Sequence, residues 1–476
     1  MTSDPRAPRR DRLWVVAIVF FAVSFWTLRV HYWTTTVELP FSDMLDYVLV
    51  GENIRDTFFF SKNETVFAYY NPVTPSLLAI SMLLGGESYL WVFRVLIQLI
   101  TFSAALLLAC ELGLLIGRQW LGIALLGIVA FCRPSIFWSL KTATEGPTEA
   151  FLLLAMGLSL RAFRTRSLWT AAGCGLACIL LALNRPQFLP SVLVVGMVFL
   201  LVALFERREA GPGVESWRRV RWWAARPRVT MRLDKRRLAQ AACFALGLTV
   251  IWAPWIARNY SHYHAFIPTG TSGMDTLIFD LAGAPIRAGR YTALRVDEKI
   301  TITEYDFRKV QEVLGPGNDY EIAQRERKLF FAWLTQNWRD FPRLVTFRLK
   351  HLIAEYGAYH LTQVSRDVLF PADVARWNTP YTRKSWTDLV LLDKAPWVIL
   401  LGFAGMAVIA IRYGMAGLTL GILSGLSWLS VALVTGFERT VEPLTSAMLW
   451  FATYFLSEAF ISLSRRDTVN MPMRSL

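Results

Sequence analysis

Two aspartates three positions apart, Asp43 and Asp46, stand in the stretch Phe41-Ser42-Asp43-Met44-Leu45-Asp46-Tyr47, just beyond the first long apolar segment. That spacing puts both carboxylates on one face of a short helix. The plainer reading of the stretch is a helix start, since Ser42 or Asp43 suits the N-cap. Four arginines, Arg94, Arg185, Arg258 and Arg439, fall at the ends of other apolar segments. Glu145, Glu149, Glu438 and Glu442 stand at the same level of the chain's threading. Singly, each arginine could brace a helix end through a carboxylate or reach a phospholipid phosphate. Together they suggest more. Guanidinium groups bind phosphate bidentately, and a carboxylate beside them can act as a base. Such a site suits transfer of a group off a lipid phosphate embedded in a membrane.

The elements that must hold these residues are membrane helices. Hydrophobic residues make up 54% of the 476 and aromatics 14%, and the mean hydropathy is +0.38. That is membrane composition. The net charge of +14 does not mark nucleic-acid binding, because the basic residues cluster in the connections between apolar segments, as positive-inside topology requires. Arg6, Arg9, Arg10 and Arg12 precede the segment Leu13–Val30, so the chain exits on the far side just before Asp43. With no small-residue cleavage site, this segment reads as an uncleaved anchor. Cys110, Cys132, Cys174, Cys178 and Cys243 all lie in apolar segments, leaving no disulfide framework or zinc pattern. Cys174 and Cys178, one helical turn apart, read as small residues packing helices.

At ~20 residues per crossing, the apolar runs give an all-α, multi-pass protein with about ten transmembrane helices, N- and C-termini cytoplasmic. The expected organisation is a membrane module at 1–257, an outer loop domain at 258–394, and C-terminal helices at 395–476. The first module carries an outer loop at 31–90 and a basic cytoplasmic loop at 206–237. Ser76–Leu84 is too short to span and reads as interfacial or re-entrant. Asp319–Trp338 and Phe341–Tyr359 have helical periodicity, and no strand-rich domain is evident. Tyr70 lies in the outer loop, in the stretch Tyr69-Tyr70-Asn71-Pro72-Val73-Thr74-Pro75. His262 and His264 alternate as metal ligands can, though an ordinary polar loop explains them as well.

At this point the chain resembles the GT-C glycosyltransferases, the class of the protein O-mannosyltransferases and the lipid A aminoarabinose transferases. FSDMLDY resembles the acidic motif after the first span, which maps the catalytic carboxylate to Asp43. YYNPVTPSLLA is similar to the interfacial helix that follows. FRVL, with Arg94, resembles the mouth of the second span. TATEGPTEAFLLLA resembles the second outer loop, giving Glu145, and LNRP the arginine-proline turn, giving Arg185. APWIARNYSHYHAFIPTGTSG resembles the exit into the outer domain, giving Arg258 and Asn259. FERTVEPL resembles a late arginine-tyrosine loop, with Thr440 where tyrosine is usual. The usual Asp-Glu pair is absent at Asp43.

The resemblance implies a GT-C fold with outer juxtamembrane helices and a small helical extracytoplasmic domain. It implies a polyprenyl-phosphate sugar donor, a glycan, lipid or protein acceptor, and an inverting single displacement. The threading puts the site on the periplasmic or extracellular face, and the arginine-rich, lysine-poor basic complement points to a bacterial cytoplasmic membrane. Asp43 would be the base; Arg94, Arg185, Arg258 and Arg439 would hold the donor phosphate. Asp46, Glu145, Asn259 and Tyr70 would orient sugar or acceptor. No cofactor is required; a divalent ion is optional, with Asp46, Glu145, His262 and His264 as weak ligands. Two alternatives stay open: an O-antigen ligase or polymerase using a pyrophosphate-linked donor, and a lipid-linked glycan flippase. A transporter would place its charges near the midplane and often repeat its halves.

Overall fold

The computed structural model describes residues 7–36, 43–62, 65–66, 68–204, 234–272, 294–297, 300–302, 315–339, 341–342, 345–346, 396–434 and 442–469. The first helices are α1 (Ala7–Thr35), α2 (Asp43–Thr57), α3 (Val73–Gly85), α4 (Tyr89–Ile116), α5 (Gln119–Phe131), α6 (Arg133–Leu140) and α7 (Glu145–Thr165). Then come α8 (Leu168–Asn184), α9 (Leu189–Leu204), α10 (Lys235–Tyr263), α11 (Asp319–Asn337), α12 (Pro396–Gly421), α13 (Ser427–Val434) and α14 (Thr445–Val469). Two short antiparallel ribbons accompany them, β1 (Ser61–Lys62) with β2 (Thr65–Val66), and β3 (Leu294–Asp297) with β4 (Ile300–Ile302). The architecture is the all-α, multi-pass one expected.

Among the described residues, five helical stretches are long and apolar enough to cross a membrane: Trp14–Thr35, Val73–Ile116, Pro186–Leu204, Lys235–Tyr263 and Val398–Ser430. A bent pair, Gln119–Phe131 with Pro134–Leu140, turns through 48° and makes a sixth. Val398–Ser430 contains two arms, because Gly414 at φ 56° breaks α12. α7, α8 and α14 pack among them, so by length and apolar character five or six spans stand, among the described residues, against the about ten expected. The chain is an integral membrane protein. Val15, Val16, Val19, Phe20 and Val23 give α1 an exposed apolar face, as a lipid-facing helix requires.

Local signals fix several boundaries. Ser167 caps α8, accepting from the Thr170 amide at 3.3 Å. Asp234 caps α10, accepting from the amides of Arg236 and Arg237. The basic loop expected to reach 237 therefore ends at Asp234, and 205–233 lie outside the described residues. At its other end α10 runs to Tyr263, so the boundary expected after 257 falls inside one continuous helix. Asn318 and Glu321 form a capping box that starts α11. Of Phe341–Tyr359, only 341–342 and 345–346 are described.

The bundle closes on small residues. Gly175 on α8 and Gly247 on α10 face each other's backbones: a Cβ on Gly175 would lie 2.0 Å from Phe244 O, and one on Gly247 2.0 Å from Ala172 O. Cys174 and Cys178 are wholly buried at this crossing, as packing residues. Charges gather at the two ends of the bundle. At the end away from Asp43, Arg164 grips Glu111 with two bonds of 2.6 and 2.7 Å. There too, Glu458 takes Arg118 at 2.6 Å and also Arg412.

Candidate active site

Asp43 and Asp46 open α2, where negative charge suits the helix N-terminus. Met44 between them is buried against Phe137, Trp138 and Ala143. Tyr47, one turn on, meets the Tyr70 ring edge-to-face at 4.8 Å. These buried neighbours anchor the turn and leave the two carboxylates half-buried at its rim. The Tyr70 hydroxyl stands 2.9 Å from Asp46 Oδ2 and 3.3 Å from Asp43 Oδ1. One hydroxyl has one proton, so the shorter contact to Asp46 is the stronger donation. Burial first, then the neighbouring Asp43 and Asp46 charges, raises the Tyr70 ionisation above the ordinary tyrosine range. The hydroxyl is therefore a fixed donor to the carboxylates.

A second structure forms where α6 passes into α7. Arg94 on α4 donates Nε to Leu140 O at 3.0 Å. Arg185, just after α8, donates Nε to Thr144 Oγ1 at 2.9 Å and forms a 2.5 Å salt bridge with Glu145 Oε1. Asn184 donates to Thr144 O at 2.7 Å and to Thr148 Oγ1 at 2.8 Å, and accepts from Thr74 Oγ1 at 2.7 Å. Residues 140–145 are thus held from both ends, beside the face on which Met44 packs. Glu145 is wholly buried against Arg185, so in this state it braces an arginine rather than lining an open surface.

Arg258 and Asn259 lie near the end of α10. Arg258 donates to Asn259 Oδ1 at 2.8 Å and to Phe60 O, and its guanidinium lies 5.4 and 5.2 Å from the Phe60 and Trp255 ring centres. Asn259 donates to Ile267 O at 3.0 Å. The two residues fix the start of the segment 267–272, which returns to the loop carrying Tyr70. His262 and His264 are exposed at the same helix end. Arg439 lies outside the described residues. Among the described residues, no three His, Cys, Asp or Glu side chains assemble as a metal set. The Tyr70 hydroxyl donates chiefly to Asp46, and Glu145 pairs with Arg185.

Sequence reasoning passed over two buried cations. Lys141 is 4% exposed, with Nζ 4.9 Å from the Phe137 ring centre. Arg29 is wholly buried, bonded to Gln98 Oε1 at 2.7 Å and Ser135 Oγ at 2.7 Å. The signal for Arg29 was present: a charge within a spanning segment is costly and needs partners.

No family model matches the chain, and no curated protein matches it in sequence. Among solved structures, the archaeal oligosaccharyltransferase AglB from Archaeoglobus fulgidus, in complex with an inhibitory peptide and a dolichol-phosphate, superposes with a TM-score of 0.51 at 16% identity. That match covers 98% of this chain and 52% of AglB. The chain has the GT-C fold. It spans about half the length of AglB. ArnT from Cupriavidus metallidurans bound to undecaprenyl phosphate, a second GT-C neighbour, matches at 13% identity and a TM-score of 0.37, over 93% of this chain and 78% of ArnT.

Proposed function

We propose that this protein is a glycosyltransferase that moves a sugar from a polyprenyl-phosphate donor to an acceptor hydroxyl or amine at the extracytoplasmic surface, by inverting single displacement. The observation carrying the reading is the tyrosine-bridged carboxylate pair, Asp43 and Asp46, beside a segment held by the buried Arg94 and Arg185. The GT-C fold supports it, as does the dolichol-phosphate held by AglB.

In this mechanism the acceptor attacks the anomeric carbon from the face opposite the phosphate. The new bond to C1 forms, the C1–O bond to phosphate breaks, and the acceptor proton passes to Asp43. A free Asp has a pKa near 3.9, far below an alcohol's, so Asp43 accepts the proton only as it becomes acidic in the transition state. Base catalysis of this kind contributes about 10²–10⁴-fold. Positioning and positive charge on the departing phosphate supply the rest. Arg258 and Arg439 are the arginines proposed to meet that phosphate directly. Arg94 and Arg185 act on it through the 140–145 segment they hold, and Asp46 and Tyr70 orient Asp43.

The test is radiolabelled sugar transfer in proteoliposomes, offering a panel of polyprenyl-phosphate monosaccharides with membrane extract as acceptor, for wild type and Asp43→Asn. Transfer that collapses in the variant establishes class and base together. Full-rate transfer by Asp43→Asn removes Asp43 from the mechanism. Turnover with a pyrophosphate-linked glycan alone moves the protein to the ligase or polymerase reading.

A further inference from the structure

The loop that carries Tyr70 is clamped by parts of the chain about 200 and 250 residues away. Asp319, the first residue of α11, accepts the Ala68 amide at Oδ2, 3.0 Å away. An acidic residue in a first helical turn needs no explanation beyond the helix dipole. A bond from it to a backbone amide 251 positions distant does. The other side of the loop is held by the segment after α10. Thr271 N donates to Ala68 O at 2.9 Å, Ser272 N to Tyr69 O at 3.1 Å, and Gly270 N to Asn71 Oδ1 at 2.8 Å. The approach is close enough to require glycine, since a Cβ at Gly270 would stand 2.6 Å from Tyr69 O and 3.1 Å from Tyr70 C. Trp252 and Trp255 fix that segment in turn, donating to Pro268 O at 2.8 Å and Thr269 O at 3.4 Å. Tyr70 therefore has neighbours bound on both sides, and its hydroxyl reaches Asp43 and Asp46 from a backbone it does not itself set.

We infer that Asp319 and Gly270 are positioning residues for the carboxylate pair: they hold the Ala68–Asn71 backbone so that the Tyr70 hydroxyl lies between Asp43 and Asp46. The inference rests on the proposed function only where it speaks of rate. A free backbone at 68–71 would let the Tyr70 ring leave the carboxylates without unfolding the bundle. The start of α11 is then a means by which the segment beyond α10 governs the site.

Three variants in the full chain in nanodiscs test this: Asp319→Asn, Asp319→Leu and Gly270→Ala. Asparagine keeps an oxygen to accept the Ala68 amide; leucine does not. Hydrogen exchange of peptides covering 66–76 is read first and needs no turnover. Exchange should speed at least tenfold in Asp319→Leu and Gly270→Ala and stay within twofold of wild type in Asp319→Asn, on the scale where tenfold is about 1.4 kcal/mol. Unchanged exchange in Asp319→Leu overturns the clamp whatever the activity. With an active donor in hand, Asp319→Leu should lower kcat by about tenfold with donor KM within about twofold, as expected for an interaction made in the transition state. Asparagine should restore the rate, and Asp319→Leu combined with Tyr70→Phe should cost no more than Tyr70→Phe alone, because both remove one hydroxyl from the pair. Multiplying effects, or a loss confined to KM, overturn the positioning role. Should wild type transfer from no polyprenyl-phosphate donor, the proposed function fails, and the exchange result still decides the clamp.

Discussion

Tyr70 donates its hydroxyl to Asp46 Oδ2 at 2.9 Å, joining a loop to a helix start 24 residues earlier in the chain. A hydrogen bond to a charged group contributes about 1.5–3 kcal/mol net. Tyr70→Phe should therefore lower kcat by about 10- to 100-fold, with the fold retained, since the ring packing on Tyr47 and Tyr69 remains. Steady-state kinetics with circular dichroism checks both. Burial and the two carboxylates hold the Tyr70 hydroxyl above the ordinary tyrosine range. Its proton thus stays in place as pH rises through 10, near where a free tyrosine titrates. The wild-type rate profile should accordingly show no alkaline limb that Tyr70→Phe abolishes.

Part of this was legible in the chain. Apolar runs separated by arginine turns are a strong signal, because a bilayer admits few backbone solutions. The helix character follows from it. Helix ends were less legible: α10 passes six residues beyond the expected boundary because Arg258, Asn259 and Tyr263 continue the helix without a breaker. The spacing of Asp43 and Asp46 announced a shared face, but not the hydroxyl between them, since Tyr70 arrives through a loop whose path depends on distant contacts. Glu145 and Arg185 were both noticed, yet as separate substrate contacts. Their pairing requires the start of α7 to meet the end of α8, which no local pattern encodes.

That pairing has a measurable consequence. Arg185 and Glu145 form a 2.5 Å salt bridge with side chains 8% and 0% exposed. Breaking a buried pair from one side leaves an uncompensated charge and costs about 3–5 kcal/mol. Glu145→Ala should lower the unfolding midpoint in detergent substantially. Replacing both partners, with Arg185→Met and Glu145→Gln, should recover most of that loss. Recovered stability without recovered transfer would separate the pair's role in the fold from its role at the site. Equal loss in single and double variants would show that the pair is not the source of the stability.

The α8–α10 crossing makes a different prediction from a single helix. Gly175→Ala and Gly247→Ala each drive a methyl to 2.0 Å from a backbone carbonyl. The helices must part, at a cost of about 1–3 kcal/mol as for overpacked cores. Gly173→Ala serves as the control, because its Cβ would meet only Leu158 Cδ1, at 3.7 Å. That is ordinary contact, and alanine favours a helix over glycine by about 1 kcal/mol. Thermal unfolding in detergent should rank Gly173→Ala at or above wild type and the other two below it. Loss at all three would point to the glycines' flexibility rather than the crossing.

Arg29 supplies the last test, because its bonds explain where α5 ends. Its guanidinium donates to Val129 O at 3.1 Å, Ala130 O at 3.3 Å and Phe25 O at 3.4 Å, besides Gln98 and Ser135. The carbonyls of Val129 and Ala130 belong to the last turn of α5, where no intrahelical amide reaches them. Arg29 is wholly buried, and its planar fork of donors meets these carbonyls. The Phe25 ring centre lies 3.6 Å away on one face of the guanidinium. Arg29→Met keeps the volume and loses every donor. It should destabilise by several kcal/mol, on the order of two charge-assisted bonds at about 1.5–3 kcal/mol each. Lysine is the sharper probe. It keeps the charge but presents a compact ammonium that cannot reproduce the fork. If Arg29 works by geometry, Arg29→Lys should regain less than half of the stability lost in Arg29→Met; if charge alone matters, it should regain nearly all.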